Sequence, residues 1–285
     1  MTNYLLHLGS LLFIYILLAQ SLNLILGAGK LFSLGHVALF GIGSYVTAIG
    51  AVDYGLDQWS LIFLSGVTSS VFASVIVFTS GRLKEEYFAV ATLAFHYVVQ
   101  SVFINFRTVT RGVMGIPGIP SLYDTSLDMF IFIFLVSTAG LLILKLVFNS
   151  RLTLLLRGLA DSEIVASSLK IDPKIVRLKA FVISGFFCGV SGSLFAYYLK
   201  YIDPSSFALS EIMLLVTIVL IGRPGSFFGT VIASFFVILL PEAIRFVEFL
   251  QNYTSILGSL RQLIYSLILF FAIYLTREKI FGRVI

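Results

Sequence analysis

The sequence runs to 285 residues, 59% of them hydrophobic and only 12% charged, with a mean hydropathy of +1.04. A soluble domain carries about 25% charged residues, so this chain has too little polar surface to cover a water-soluble globule, and lipid must surround most of it. The net charge of +5 fits basic loops on the cytoplasmic side of a membrane. It comes without the clustered basic and aromatic face of a nucleic-acid surface, and the single cysteine, Cys188, excludes an internal disulfide and a thiolate metal cluster.

A crossing takes about 20 apolar residues. Nine spans are predicted, at 4–27, 34–52, 61–80, 87–104, 127–148, 179–198, 210–222, 229–247 and 259–276. The expected fold class is all-α, a polytopic transmembrane helical bundle of about nine spans with some short or broken helices. It forms one domain over residues 1–285, with no room for a soluble ATPase or binding domain. The first span, Tyr4 to Gly27, has no basic leader and no A-x-A-like cleavage site, and reads as retained.

The second span opens on Gly35 and carries Gly41 and Gly43, which allow close helix approach or a local break. His36 stands in this apolar run, either to donate to a substrate carboxylate or carbonyl or to bond a neighbouring helix. After the fourth span, Gly112, Gly115, Pro117, Gly118 and Pro120 make a loop of constrained turns. It reads equally as part of a docking surface for a binding protein and as a structural loop.

The longest polar connection, residues 149–178, follows the fifth span. Asp161 or Ser162 is positioned to cap a short helix, with Glu163 in its first turn where the helix dipole favours an anion. Ile164, Val165, Ser168 and Leu169 then fall on one face. Asp172 and Pro173 restart the next helix as N-cap and first helical residue. A short amphipathic helix between two spans has no core of its own; it lies on the lipid surface or docks into a groove on a cytoplasmic partner.

The sixth span carries a stripe of small residues at Ala180, Ser184, Gly185, Cys188, Gly189, Gly192, Ser193 and Ala196, spaced for tight helix packing. The seventh, 210–222, is short for a perpendicular crossing at 1.5 Å per residue and runs into Gly222-Arg223-Pro224-Gly225, where helix cannot easily continue. Interrupted helices at membrane depth are tolerated where protein or a wet cavity satisfies the freed backbone, which argues for a path through the domain. Glu211 begins the seventh span and is expected to face water, while Glu242, Arg245 and Glu248 form an ion-paired ladder near the end of the eighth.

Fourteen of the nineteen basic residues fall on one side under this topology: Lys30, Arg82, Lys84, Lys145, Arg151, Arg157, Lys170, Lys174, Arg177, Lys179, Arg223, Arg277, Lys279 and Arg283. The other five are Arg107, Arg111, Lys200, Arg245 and Arg261. The bias places the N-terminus outside and the C-terminus in the cytoplasm.

Four stretches resemble one family. They are Ser33 to Tyr45 (SLGHVALFGIGSY); Tyr87 to Phe95 with Thr110 to Pro120; Glu163 to Ile171 with Lys179 to Gly185; and Gly222 to Gly229 (GRPGSFFG). Their combination and order resemble the permeases of ATP-binding-cassette importers for branched-chain amino acids, specifically the M-type subunit. Arg111 and Arg223 stand where the family usually has glycine, Lys170 where a glycine commonly closes the coupling helix, and Tyr97 where many relatives carry glutamate.

The resemblance implies a cytoplasmic (inner) membrane permease with a second, homologous permease subunit, two cytoplasmic ATPase subunits and an extracytoplasmic binding protein. It implies no cofactor of the chain's own, since ATP and Mg are used by the ATPases. The expected substrate path includes Ser33, Gly35, His36, Thr92 and Phe95. Coupling falls to Asp161, Glu163, Ile164, Val165, Ala166, Ser168 and Leu169, and helix packing to Gly185, Gly189 and Gly192. Branched-chain amino acids are the expected substrates, with urea and short amides the alternative within the family.

The chain has no G-x-x-x-x-G-K-[ST] loop, since Gly27-Ala28-Gly29-Lys30 lacks the upstream glycine, so the driving force must come from elsewhere. Two other classes compete. An ATP-independent secondary transporter or channel needs no partner ATPase. An intramembrane serine protease would use Gly189-Val190-Ser191-Gly192, yet His7, His36 and His96 all precede Ser191, and a nucleophilic serine needs a base within reach.

Overall fold

The computed structural model describes residues 2–81, 83, 85–245, 263 and 267. Its helices are α1 (Thr2–Asn23), α2 (His36–Val52), α3 (Gln58–Ser80), α4 (Glu85–Asn105), α5 (Arg107–Thr110), α6 (Ser126–Phe148), α7 (Arg151–Asp161), α8 (Glu163–Ser168), α9 (Pro173–Leu199), α10 (Leu209–Ile221) and α11 (Phe227–Arg245). Two short strands, β1 (Ile116–Pro117) and β2 (Tyr201–Ile202), pair antiparallel. The first eight predicted spans each fall on a helix, with α9 starting six residues before the predicted sixth span and residues 246–247 of the eighth outside the described residues, and the helical bundle is of the expected class. The ninth, at 259–276, lies outside the described residues. So do the side chains of Glu242 and Arg245, and Glu248, Arg261, Arg277, Lys279, Arg283, Arg82 and Lys84.

Local chemistry sets the helix ends. Asp57 caps α3 by accepting the Trp59 N–H, and Thr125 caps α6 by accepting the Asp128 N–H while donating to the Asp128 carboxylate. At α9, Asp172 accepts the Lys174 N–H and Pro173 takes the first helical position, as expected. The chain leaves α1 through a π-helical turn, Leu24–Ala28, and reaches α2 by an extended break in which Lys30 has φ 51°.

The central layer is α2, α3 and α9, packed against one another, with α1 bridging α9 to α6, α10 and α11. α2 is buried along nearly its whole length. Six described helical segments are long and apolar enough to cross a membrane, and α2 and the start of α11 are shorter apolar helices. The outside of the bundle is apolar at Phe63, Val71 and Phe78 on α3 and at Leu135, Leu142 and Leu146 on α6. Contiguous apolar surface of that extent is foreign to a soluble monomer and is the face a bilayer covers.

The ion pairs lie at the two ends. At one, Lys30 pairs with Asp161 at 3.0 Å, Arg177 with Glu163 at 2.7 Å, and Arg157 donates to the Gly225 carbonyl at 3.1 Å. At the other, Arg111 pairs with Asp53 at 3.0 Å, and the Tyr201 hydroxyl donates to the Met114 carbonyl beside the β1–β2 clasp. Lys30, Arg157 and Arg177 therefore share one end and Arg111 occupies the other, the partition expected from the loop charges.

Candidate functional site

The segment between α6 and α9 folds into two helices, of which the sequence reading anticipated only the second. α7 buries Thr153, Leu156 and Leu159, with Leu156 seated under the π-helical turn so that a Cβ at Gly29 would press on it at 3.3 Å. α8 is capped by Ser162, whose hydroxyl accepts the Val165 N–H; Asp161 instead pairs with Lys30. Ala166 is buried against the bundle, and Ile164, Val165 and Leu169 face outward at 82%, 59% and 70% exposure. Ser168 turns its hydroxyl back to the Ile164 carbonyl. Glu163 is held by Arg177, whose other guanidinium nitrogen donates to the Gly81 carbonyl at 2.7 Å. The result is a small wedge, fastened on one side to α3 and α9 and offering three apolar side chains on the other.

The residues expected along the substrate path converge where the break before α2 crosses α4. The Thr92 hydroxyl accepts the Leu34 N–H at 3.0 Å and donates to the Ala89 carbonyl. A Cβ at Gly35 would press on the Thr92 carbonyl and the half-buried Phe95 ring. His36 is 2% exposed, with Ser33 Oγ 3.0 Å from Nδ1 and Ser184 Oγ 2.9 Å from Nε2. Ser184 gives its one proton to the Ser21 carbonyl at 2.6 Å. Nε2 is therefore the donor to Ser184, and Nδ1 accepts from Ser33. Of the two roles open to His36, this geometry is that of a histidine bonded to a neighbouring helix.

The stripe on α9 is a seam of backbone contact. A Cβ at Gly192 would collide with the Phe40 carbonyl, one at Gly189 with the Ser65 carbonyl, and one at Gly185 would come within 2.6 Å of Ala73. Gly43 on α2 faces Gly189 with the same lack of room. Cys188 is buried and donates to the His36 carbonyl. Ser191 donates to the Phe187 carbonyl at 2.8 Å, and no histidine among the described residues bonds to it.

Sequence reasoning missed a second polar knot. Gln20 and Asn23, buried in the apolar first span, reach across to the turn between α10 and α11. Gln20 Nε2 donates to the Phe227 carbonyl at 2.6 Å, Asn23 Nδ2 to the Ser226 carbonyl at 3.2 Å, and Asn23 Oδ1 accepts the Gly225 N–H at 2.8 Å. Gly222 and Gly229 close the neck of that turn, where neither has room for a Cβ. Two buried amides in a mainly apolar helix were the available signal. Arg111, Lys170 and Arg223, the residues in place of family glycines, have φ of 59°, 59° and 63°. The left-handed backbone that glycine adopts freely is kept by bulkier residues at all three.

Glu211, expected in water, accepts the Tyr15 hydroxyl at 2.8 Å and is half-buried. Tyr97 lies 47% exposed on the outward face of α4.

Apolar crossings, a backbone seam between glycines, polar knots within the bundle and a wedge at one end together define a multi-pass α-helical membrane protein. Residues 4–275 match the sequence model described as the branched-chain amino acid transport system / permease component, and the chain belongs to that family, which is one of transport permeases and not of enzymes. It is 29% identical over 282 residues to the high-affinity branched-chain amino acid transport system permease protein LivM of Escherichia coli (strain K12), covering 88% of this chain and 66% of that protein. Against the protein of the same name from Salmonella typhimurium (strain LT2) it is 30% identical over 277 residues, covering 87% and 64%. The chain thus spans just under two thirds of the length of these curated relatives. No solved structure matches it.

Proposed function

We propose that the chain is the membrane-spanning permease subunit of an ATP-binding-cassette importer for small polar metabolites, with branched-chain amino acids as its substrates. Its partners are a second homologous permease subunit, two cytoplasmic ATPase subunits that use ATP and Mg, and an extracytoplasmic binding protein. It sits in the cytoplasmic membrane with the N-terminus outside and the C-terminus in the cytoplasm. Family membership and the relatives named for branched-chain amino acid transport support the class of substrate.

The observation that carries the mechanism is α8. Its apolar face of Ile164, Val165 and Leu169 is turned away from the bundle, while Glu163 and Asp161 tie its base to Arg177 and Lys30. An apolar helix face at the basic end of a membrane domain is what a groove on a cytoplasmic ATPase would receive. ATP binding closes the ATPases, and closure shifts the permease only through contacts that differ between its states. α8 supplies such a contact, and α9, separated from it by four residues, takes up the push. Ser33, Gly35, His36, Thr92 and Phe95 brace the α1–α2 break at the same end, the inner end of the route.

The test is Leu169→Asp in the complex purified with its ATPase and reconstituted in proteoliposomes. The expected result is loss of vanadate-sensitive leucine uptake, with ATP hydrolysis uncoupled and the spans still folded. Full uptake by the variant, or uptake insensitive to vanadate with no ATPase co-purifying, sinks the reading and favours an ATP-independent transporter. Urea uptake in place of leucine uptake transfers the substrate to the short amides.

A further inference from the structure

α4 differs from α6, the other crossing that is only 28% buried. In the middle of α6 the outward row is Ile131, Phe134, Leu135, Leu142, Ile143 and Leu146, all apolar, as contact with acyl chains requires. The outward face of α4 instead carries two parallel rows at i, i+4, i+8 spacing. One is polar, Tyr97, Ser101 and Asn105; the other, one residue on, is apolar, Val98, Val102 and Phe106. These six residues line a groove that runs from mid-helix to the end where Arg111 and Asp53 meet, about 12 Å at 1.5 Å per residue. Polar side chains on that face are costly against lipid and inexpensive against water.

A second observation comes from the opposite side of the same turn. His96 lies at the midpoint of α4, 1% exposed on the row of Thr92, Val99 and Phe103, and neither of its ring nitrogens has a hydrogen-bond partner among the described residues. Its ring meets the edge of Tyr97 with centroids 5.5 Å apart. A neutral imidazole carries one donor and one acceptor, and leaving both unmet in a packed interior is expensive. His36, by contrast, has both nitrogens bonded. Ionisable groups at membrane mid-depth that lack a structural partner mark transport routes.

We propose that the outward face from Tyr97 to Phe106 lines the water-filled translocation path, with buried His96, its ring against Tyr97, a positioning residue at the inner end. The inference rests on the permease reading above and places its route. The occupant is a small zwitterion with an aliphatic side chain. The hydroxyls of Tyr97 and Ser101 and the amide of Asn105 replace water around its charged groups, and Val98, Val102 and Phe106 receive its hydrocarbon. The rows bear no charge, so neither the ammonium nor the carboxylate is held too tightly to move on.

The experiment is cysteine accessibility in the intact complex in native membranes. Buried Cys188 gives the parent chain a silent background. Ser101→Cys, Asn105→Cys and Val98→Cys are treated with a membrane-impermeant methanethiosulfonate, with Leu135→Cys and Leu142→Cys on α6 as lipid-facing controls. The expected result is labelling at the three α4 positions and none at the controls, loss of uptake on labelling, and slower labelling in excess substrate. Equal silence at α4 and α6, or labelling that leaves uptake untouched, overturns the proposal. His96→Leu is expected to lower uptake while Ser101→Cys in that background still labels, with His96→Gln retaining more; unchanged uptake in His96→Leu removes the positioning role of His96. A complex that shows the α4 labelling but carries no branched-chain amino acid refutes the substrate reading and leaves the placement of the path intact.

Discussion

Asn23 Oδ1 accepts the backbone N–H of Gly225 at 2.8 Å, joining residues 202 apart in sequence. The same amide donates to the Ser226 carbonyl, so one side chain fixes the turn between α10 and α11 from within the first crossing. Asn23→Leu keeps the volume and strands both backbone groups, at a cost of about 1–3 kcal/mol for a buried unmet partner. A lowered unfolding midpoint of the purified protein in detergent is expected, with Asn23→Asp, which retains the acceptor, falling between.

Gly189 and Gly158 are predicted to respond to alanine with opposite sign. Gly189 is the crossing point of α9 with α2 and α3, where a methyl would run into the Ser65 backbone; Gly189→Ala is expected to destabilise by about 1–3 kcal/mol through overpacking. Gly158 is an exposed interior residue of α7 with nothing near a new Cβ, and Gly158→Ala should stabilise that helix by about 0.5–1 kcal/mol. Thermal unfolding of the two variants side by side checks both.

Lys170 ends α8 at φ 59°. A left-handed residue with a Cβ costs roughly 1–2 kcal/mol, so Lys170→Gly should stabilise the end of α8 and slow amide exchange at Leu169 and Ile171. Lys170→Val, branched at Cβ, should speed it.

Arg177 holds α8 through two different acceptors, the Glu163 carboxylate and the Gly81 carbonyl. Arg177→Met is expected to free α8, read as faster hydrogen exchange over 163–168, with a loss of about 1.5–3 kcal/mol typical of charge-assisted bonds. Arg177→Lys should not restore it, because a point ammonium cannot reproduce the two-pronged geometry.

Asp203 gives the β2 loop a pH dependence. Burial pushes its carboxyl up, but hydrogen bonds from the Ser205 and Ser206 hydroxyls and the Ser206 N–H outweigh this and leave it below the ordinary value of 3.8. A carboxyl lowered by folding contributes stability above the unfolded value and loses it as pH falls through the folded one. Exchange across 201–207 is therefore expected to rise below about pH 3.8, and Asp203→Asn should flatten that dependence.

Periodic and compositional features were legible in the sequence. The spans emerged because apolar runs of membrane length leave few alternatives; the seventh, predicted as short at 210–222, is the helix Leu209–Ile221, which a 3-10 turn at Pro204–Phe207 lengthens to an apolar segment of 18 residues. The restart at Asp172-Pro173 and the outward Ile164, Val165 and Leu169 followed from local capping and spacing. Long-range partners did not. Nothing adjacent to Gln20 or Asn23 shows that they serve a turn two hundred residues away, and the β1–β2 clasp pairs segments of two residues each, too short for an alternating pattern. α7 escaped because Arg151 to Asp161 mixes charge and leucine much as a loop does; its amphipathic face has meaning only once Leu156 has the π-helical turn above it. His36 was singled out as the solitary polar ring of its run, whereas His96, in a less conspicuous setting, is the histidine with no hydrogen-bond partner among the described residues.

The glycine seam makes α9 into a connecting rod. Its 27 residues span about 40 Å at 1.5 Å each, and close backbone contact at Gly185, Gly189 and Gly192 ties its middle to α2 and α3. Its far end is Lys200, where β2 is hooked to β1 on the segment that follows α5. On the coupling role proposed for α8, a displacement at Pro173 would be carried by a single helix to the opposite mouth of the bundle, with no helix changing length.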